Sequence, residues 1–337
     1  MMYIKSVVSL CVLVTLIIAV KARPKQNSNE QAIHQYTYGH AEEMGTESSE
    51  ETREVKRHVS PIPPHCGMKN SKDRQKRIVG GEVSQLGEWP WLVNMRLNTT
   101  VYCARLEQHC NSPGPFEFLC GGSLIHPQWV LTAAHCILSE DTKHWMMRIG
   151  EHNMLDDTVP HVDVPVERIY LHPEWKGWGS FDIALVKLSE AAVHNENVNV
   201  VCLPDEEDLN KIKPGRHCML AGWGLTKDKE YNGSRSEVVK HMRVPIVDPE
   251  KCSWTIGDSS FNFTLTIAES EICVHADDTL IGPCNGDSGS PMVCYDEEDE
   301  TYVQMGIVSR GLGICGEEPE IFTKKKSTYL ASYPEKE

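Results

Sequence analysis

From Ile78 to about Tyr333 the chain is cut into short apolar runs separated by clusters of Gly, Pro, Asn and Asp, and this rhythm limits the fold more than any other feature. The runs at 91–95, 129–133, 182–188, 198–203, 218–223 and 303–309 are each of strand length, and several are rich in Val and Ile. Helical periodicity over a long stretch is absent, except toward the C-terminus. Regular short strands with turn signals between them predict an all-β sandwich or barrel. No internal repeat of fixed short period is present.

What precedes this region is different in texture. Lys5 leads into an apolar run from Val7 to Val20, and Ala22 is a small residue suited to cleavage. We read residues 1–22 as an export signal, because the apolar run falls short of the about 20 residues that a membrane span needs. Residues 23–77 are polar, with few apolar side chains to offset the entropy of ordering, and are expected to be a flexible propeptide or light segment. They end in a Pro cluster, Cys66 and the basic stretch Lys72-Asp73-Arg74-Gln75-Lys76-Arg77. The remaining stretch, 78–337, is expected to form one folded domain.

The formal charge of −15 argues against nucleic acid as a partner, since phosphate binding needs a basic surface. Of 13 cysteines, Cys11 leaves with the signal and an even twelve remain. Export and an even count favour disulfides over zinc, and no CxxC pair exists to hold a metal. Asn98, Asn232 and Asn262 open N-glycosylation patterns, which suits an extracellular, secreted chain.

Three local patterns carry chemistry. Thr132-Ala133-Ala134-His135-Cys136 ends one apolar run, Asp182-Ile183-Ala184-Leu185 begins another, and Gly286-Asp287-Ser288-Gly289-Ser290-Pro291 is a glycine-flanked turn. Any one alone reads as a core histidine, a strand-edge carboxylate or a turn serine. Together, in the order His, Asp, Ser, they are the parts of a nucleophile system. A serine hydroxyl needs an adjacent base at neutral pH. His135 can take its proton and return it to a leaving amine, and Asp182 can fix the tautomer and stabilise the imidazolium. The backbone N–H groups of Gly286 and Ser288 can hold a developing oxyanion.

With these motifs, and with Arg77-Ile78-Val79-Gly80-Gly81-Glu82 and Gly222-Trp223-Gly224, the chain resembles the chymotrypsin/trypsin family of serine peptidases from about Cys66 to Tyr333. The resemblance implies two six-stranded antiparallel β-barrels with the catalytic residues in the cleft between them, and a short C-terminal helix. It implies a secreted endopeptidase made as a zymogen, acting on protein or peptide substrates and met by protein inhibitors. Cleavage after Arg77 would free Ile78, whose ammonium would pair with Asp287. The segment ending at Arg77 also resembles the R-x-K-R site of furin-like convertases, which implies an activating convertase. By matching positions, the implied disulfides are Cys66–Cys202, Cys120–Cys136, Cys218–Cys294, Cys252–Cys273 and Cys284–Cys315. Cys103 and Cys110, in an extended loop, are left to pair with each other.

Several positions depart from the family pattern. Gly282 and Pro283 stand at the floor of the primary specificity pocket, where a trypsin has Asp at the first. Arg310 replaces the usual Trp in Ser309-Arg310-Gly311, the segment that pairs with substrate backbone, and Ser290 replaces the commoner Gly. Asn285 is grouped with these substrate-binding residues. Pro334 follows soon after Tyr333, which shortens the C-terminal helix. Glu320 occupies a pocket-wall position that is commonly Gly, so a basic P1 residue, and an aromatic one in a shortened pocket, are the expected preferences. Glu151, Asn153, Asp156, Asp157 and Asp163 resemble parts of a calcium loop, but His161 falls where a ligating Glu belongs. We read a solvated acidic loop there and expect no cofactor. A different reading of the departures is a protease-like binding protein that has lost efficient catalysis.

Overall fold

The computed structural model describes residues 66–69, 81–106, 114–177, 179–225, 234–258, 261–265, 267–275, 282–311, 315 and 319–324. Its strands are β1 (Glu82–Val83), β2 (Leu92–Asn98), β3 (Phe116–His126), β4 (Trp129–Thr132), β5 (Trp145–Ile149), β6 (Val162–Leu171) and β7 (Ala184–Leu188). They continue with β8 (His217–Gly222), β9 (Lys240–Pro245), β10 (Trp254–Asp258), β11 (Phe261–Leu265), β12 (Glu271–Val274), β13 (Pro291–Asp296), β14 (Thr301–Gly311) and β15 (Glu320–Lys324). Two helices, α1 (Thr99–Leu106) and α2 (Glu206–Asn210), complete the regular elements used below.

Strands β2-β3-β4-β7-β6-β5 close into an antiparallel barrel. Its interior takes alternate residues of β2, β5 and β6, Val93, Met95, Leu97, Trp145, Met147, Ile149, Val164 and Val166, together with consecutive residues of β4 and β7, Val130 with Leu131 and Leu185 with Val186. Where strands alternate, every second side chain lies inside, while the short apolar runs of β4 and β7 are buried on both faces.

The second half departs from the expected six-stranded barrel. It is a seven-stranded sheet, β1-β9-β8-β13-β14-β15-β12, in which the short β1 adds an edge beside β9. Among the described residues the ladder is not itself closed, and the end of β9 meets β12 only through the Ile246–Val274 bridge and the bonds Val247 N–H to Cys273 O, 3.0 Å, and His275 N–H to Pro245 O, 3.3 Å. Leu220, Val244, Ile272, Met292, Met305 and Phe322 pack inside this sheet. A third cluster of Trp89, Trp91, Phe118, Val201, Trp223 and Val293 joins residues of both halves.

The run at 198–203 is a crossing segment and not a strand. Val198, Val200 and Val201 are buried, but the backbone bonds go to scattered partners: Asn199 N–H to Pro90 O, Val201 N–H to Leu124 O and Gln304 N–H to Cys202 O. Its apolar residues serve a connector buried between the two halves, which periodicity cannot tell from a strand. The loop carrying Cys103 contains helix α1, begun by Thr100 N–H donating to Asn98 Oδ1 at 3.0 Å. Strands β10 and β11 form a separate hairpin.

Disulfides join Cys66–Cys202, Cys120–Cys136, Cys218–Cys294, Cys252–Cys273 and Cys284–Cys315. Cys103 is also disulfide-bonded, and Cys110 lies outside the described residues. The expected signal, Arg77, Ile78, Asn232 and the C-terminal helix lie outside them as well. Asn98 ends β2 and is partly exposed, and Asn262 is in β11. Among the described residues no helix is long and apolar enough to cross a membrane.

Candidate active site

His135 and Asp182 both come from the first barrel. His135 sits on a single 3-10 turn, Ala134–Cys136, directly after β4, and Asp182 precedes β7, the strand paired with β4. That pairing brings the two together. Asp182 Oδ1 accepts from the His135 backbone N–H at 2.8 Å, and Oδ2 lies 2.6 Å from His135 Nδ1. The Asp182 side chain is 3% exposed and that of His135 33%. A buried carboxylate holding Nδ1 leaves Nε2 as the ring nitrogen available for proton transfer. A third bond comes from the second sheet: Ser309 Oγ donates to Asp182 Oδ2 at 2.7 Å. Ser309 was read from sequence only as a substrate-binding position.

Ser288 lies on a tight turn between the halves. Its carbonyl accepts from Gly121 N–H of β3 at 2.8 Å, while Gly289 N–H donates to Val308 O of β14 at 2.9 Å. Gly286 and Gly289 have φ of 105° and 79°, values at which a side chain is strained. At Gly289 a Cβ would also overlap Thr132 Oγ1 and Gly121 O. The Cys136 sulfur lies 3.8 Å from His135 Nε2 and 3.3 Å from where a Gly289 Cβ would be, so the histidine ring and the serine turn adjoin across it. Among the described residues Ser288 Oγ makes no hydrogen bond. Such contacts commonly tighten only when substrate is bound.

His135, Cys120 and Cys136 also bring their nitrogen and sulfur atoms within 4.8 Å of one another. The two sulfurs form one disulfide, so neither is a thiolate able to ligate a metal.

Asp287 is buried under the serine turn. Its carboxylate accepts from Gly224 N–H at 2.9 Å and Cys284 N–H at 3.0 Å. No cation pairs with it among the described residues, and burial pushes its carboxyl up to about 6. The Gly222-Trp223-Gly224 motif acquires a physical reason here: a Cβ on Gly222 or on Gly224 would overlap the Asp287 carboxylate.

Of the positions expected to bind substrate, Ser309, Arg310, Gly311 and Glu320 lie on β14 and β15. Gly311 is paired with Glu320 and Arg310 with Ile321. Glu320 is 6% exposed, and a Cβ at Gly311 would lie 2.8 Å from its Oε2. Burial, and then the nearby Asp287, push the Glu320 carboxyl well above the ordinary carboxylate range. Gly282 is partly buried, Pro283 buried and Asn285 exposed, with the Asn285 carbonyl accepting from Leu225 N–H at 3.0 Å.

Sequence reasoning missed two charge pairs. Arg310 Nη2 lies 2.8 Å from Glu271 Oε1, whose side chain is 1% exposed. The signal was available: two opposite charges in otherwise apolar strands need partners. In the acidic loop, Arg148 binds Asp163 with Nε at 2.7 Å and Nη2 at 2.8 Å, and reaches Glu151 at 3.3 Å. A guanidinium thus engages two carboxylates of the loop that resembles parts of a calcium loop. Because Glu151 is 1% exposed, that loop is not wholly the solvated one expected.

A closed barrel joined to a second sheet, with a His–Asp pair on the first and a glycine-flanked serine turn bonded to both halves, is the arrangement expected of a serine peptidase of the chymotrypsin-like class. The chain belongs to the trypsin family, whose model, described as Trypsin, matches residues 78–331. Among curated proteins it is similar to Serine protease 28 of Mus musculus, with 31% identity over 261 residues that span 77% of this chain and 88% of that protein.

Proposed function

We propose that the protein is a secreted serine endopeptidase that hydrolyses peptide bonds through an acyl-enzyme. Residues 1–22 are its export signal, 23–77 its propeptide and 78–337 the peptidase domain. The observation that carries the reading is Asp182, which joins His135 Nδ1 at 2.6 Å beside a serine turn bonded to both halves. Ser288 is the nucleophile, His135 the general base and then acid, and Asp182 the group that orients His135 and stabilises its imidazolium. The N–H groups of Gly286 and Ser288 stabilise the tetrahedral oxyanion.

Cleavage after Arg77 releases the Ile78 ammonium, which pairs with Asp287. A buried carboxylate without a cation is costly, so the pairing favours the ordered serine turn. The bridge from Cys66 to Cys202 keeps the propeptide attached afterwards.

Glu320 directs P1 selection toward Lys and Arg. It is buried beside Gly311, where a substrate cation can pair with it away from bulk water, and Gly282 adds no charge at the pocket floor. The test is hydrolysis of matched P1-Lys, P1-Arg, P1-Phe and P1-Val peptides by the activated protein. The wild type is expected to favour the basic residues, with P1-Phe next. In Glu320→Gly the basic preference should fall by about 30-fold or more, the cost of truncating one partner of a buried charge pair. A wild type that prefers P1-Val, or a variant with an unchanged profile, contradicts the assignment.

A further inference from the structure

The run from Gly179 to Asp182 belongs to neither β6 nor β7, and its shape is not self-supporting. Phe181 has φ of 64°, a left-handed conformation that a bulky residue adopts only when its surroundings hold it there. One support is local: the Phe181 ring stacks on His172 with centroids 4.8 Å apart and planes at 19°. The others come from the second sheet. Arg310 Nη1 donates to Gly179 O at 3.4 Å, Ser180 Oγ donates to Glu271 Oε1 at 3.5 Å, and Ser309 Oγ donates to Asp182 Oδ2 at 2.7 Å. Three of four consecutive residues are therefore gripped across the cleft by neighbours on β14 and by the first residue of β12.

Two of these grips depend on a single ion pair. Glu271 is fully engaged: Oε1 faces Arg310 Nη2 at 2.8 Å, and Oε2 accepts from Ala268 N–H at 2.9 Å. The Arg310 side chain is 15% exposed. Its charge is thus matched internally, which makes it a poor free cation for an acidic substrate side chain and a good brace. The planar guanidinium can serve Glu271 and Gly179 at once, a geometry that a lysine ammonium cannot reproduce.

We infer that the Arg310–Glu271 pair positions Asp182 for catalysis, by fixing the segment 179–181 that leads into it. Neither residue touches substrate in this role. Loss of the brace lets Asp182 drift from the His135 Nδ1–H, and the imidazolium that forms in the reaction is then less well stabilised. The inference rests on the peptidase reading above and adds two positioning residues to it.

Removing one partner would leave the other charge buried and unpaired, so the main variant replaces both, Arg310→Met with Glu271→Met, which keeps volume without an orphaned charge. The full chain is activated, its fold checked by thermal melting, and kcat and KM are measured on a short amide substrate that reaches no farther than P2. We expect kcat to fall about tenfold with KM nearly unchanged, since a small misplacement of catalytic groups costs rate and not binding. The acid limb of kcat should move to lower pH, because a less stabilised imidazolium loses its proton more readily. Arg310→Lys should fall between the two and decides the matter if the double variant fails to fold. Wild-type kcat and an unmoved acid limb in either variant overturn the inference, as does an effect seen only with substrates extended beyond P2, which would mark a subsite. An inactive wild type would instead overturn the peptidase reading itself.

Discussion

Replacing Ser288 by alanine should lower kcat for amide hydrolysis by about a millionfold while leaving the fold intact. The side chain lost is small, and the turn is held by backbone bonds that alanine keeps: Ser288 O to Gly121 N–H, and the neighbouring Gly289 N–H to Val308 O. Melting temperature should therefore change little. Some rate above that in water should persist, because the oxyanion donors and substrate binding remain. Purified Ser288→Ala with near-normal turnover would remove the nucleophile assignment. A variant that unfolds would contradict the expected intact fold, and fluorophosphonate labelling of the wild type would then decide the nucleophile.

The second large effect belongs to Asp287. In the activated protein, Asp287→Asn should lower kcat by about a thousandfold, because the two oxyanion donors flank it and each such donor is worth about a hundredfold or more. The same residue gives the uncleaved chain a pH signature, best seen in an Arg77→Gln background. Burial raises the Asp287 carboxyl from 3.8 to about 6 in the folded chain, and among the described residues no cation lowers it again. Between those values the unfolded chain has lost the proton and the folded chain has kept it. Stability is then complete below about pH 4 and declines as pH rises to about 6, by about 3 kcal/mol in total. Denaturant unfolding at pH 4 and pH 7, with and without Asp287→Asn, isolates this contribution from the other carboxylates. A pH dependence that is the same in both backgrounds would show that Asp287 is not held unpaired in the precursor.

How much was legible in sequence follows from how each feature is encoded. The motifs around His135, Asp182 and Ser288 stood out because nucleophile chemistry restricts residue type and the turn geometry restricts the neighbours, and the His135–Asp182 contact follows from the pairing of their strands. The glycines at 286 and 289 cannot be exchanged without strain. The first barrel was legible as short apolar runs between turn signals, with its closure implied by the family resemblance. The segment 198–203 misled, since a buried connector is as apolar as a strand while its hydrogen bonds go elsewhere. Helix α1 was hidden because its eight residues show little amphipathic pattern, and it starts from the Asn98 side chain. The Arg310–Glu271 and Arg148–Asp163 pairs were hidden for another reason. Each joins residues 39 and 15 positions apart respectively, and only the register of the strands makes them neighbours.

The central claim, that cleavage at Arg77 produces a competent Ser288 nucleophile, is tested most directly by an active-site label. The purified chain is treated with a fluorophosphonate before and after cleavage, and the modified peptide is located by mass spectrometry. The account predicts stoichiometric labelling of Ser288 only after Ile78 has become an N-terminus, with none in His135→Ala. An absence of label on Ser288 in the cleaved, folded chain would contradict it, and would favour a protease-like binding protein that uses the same cleft without turnover.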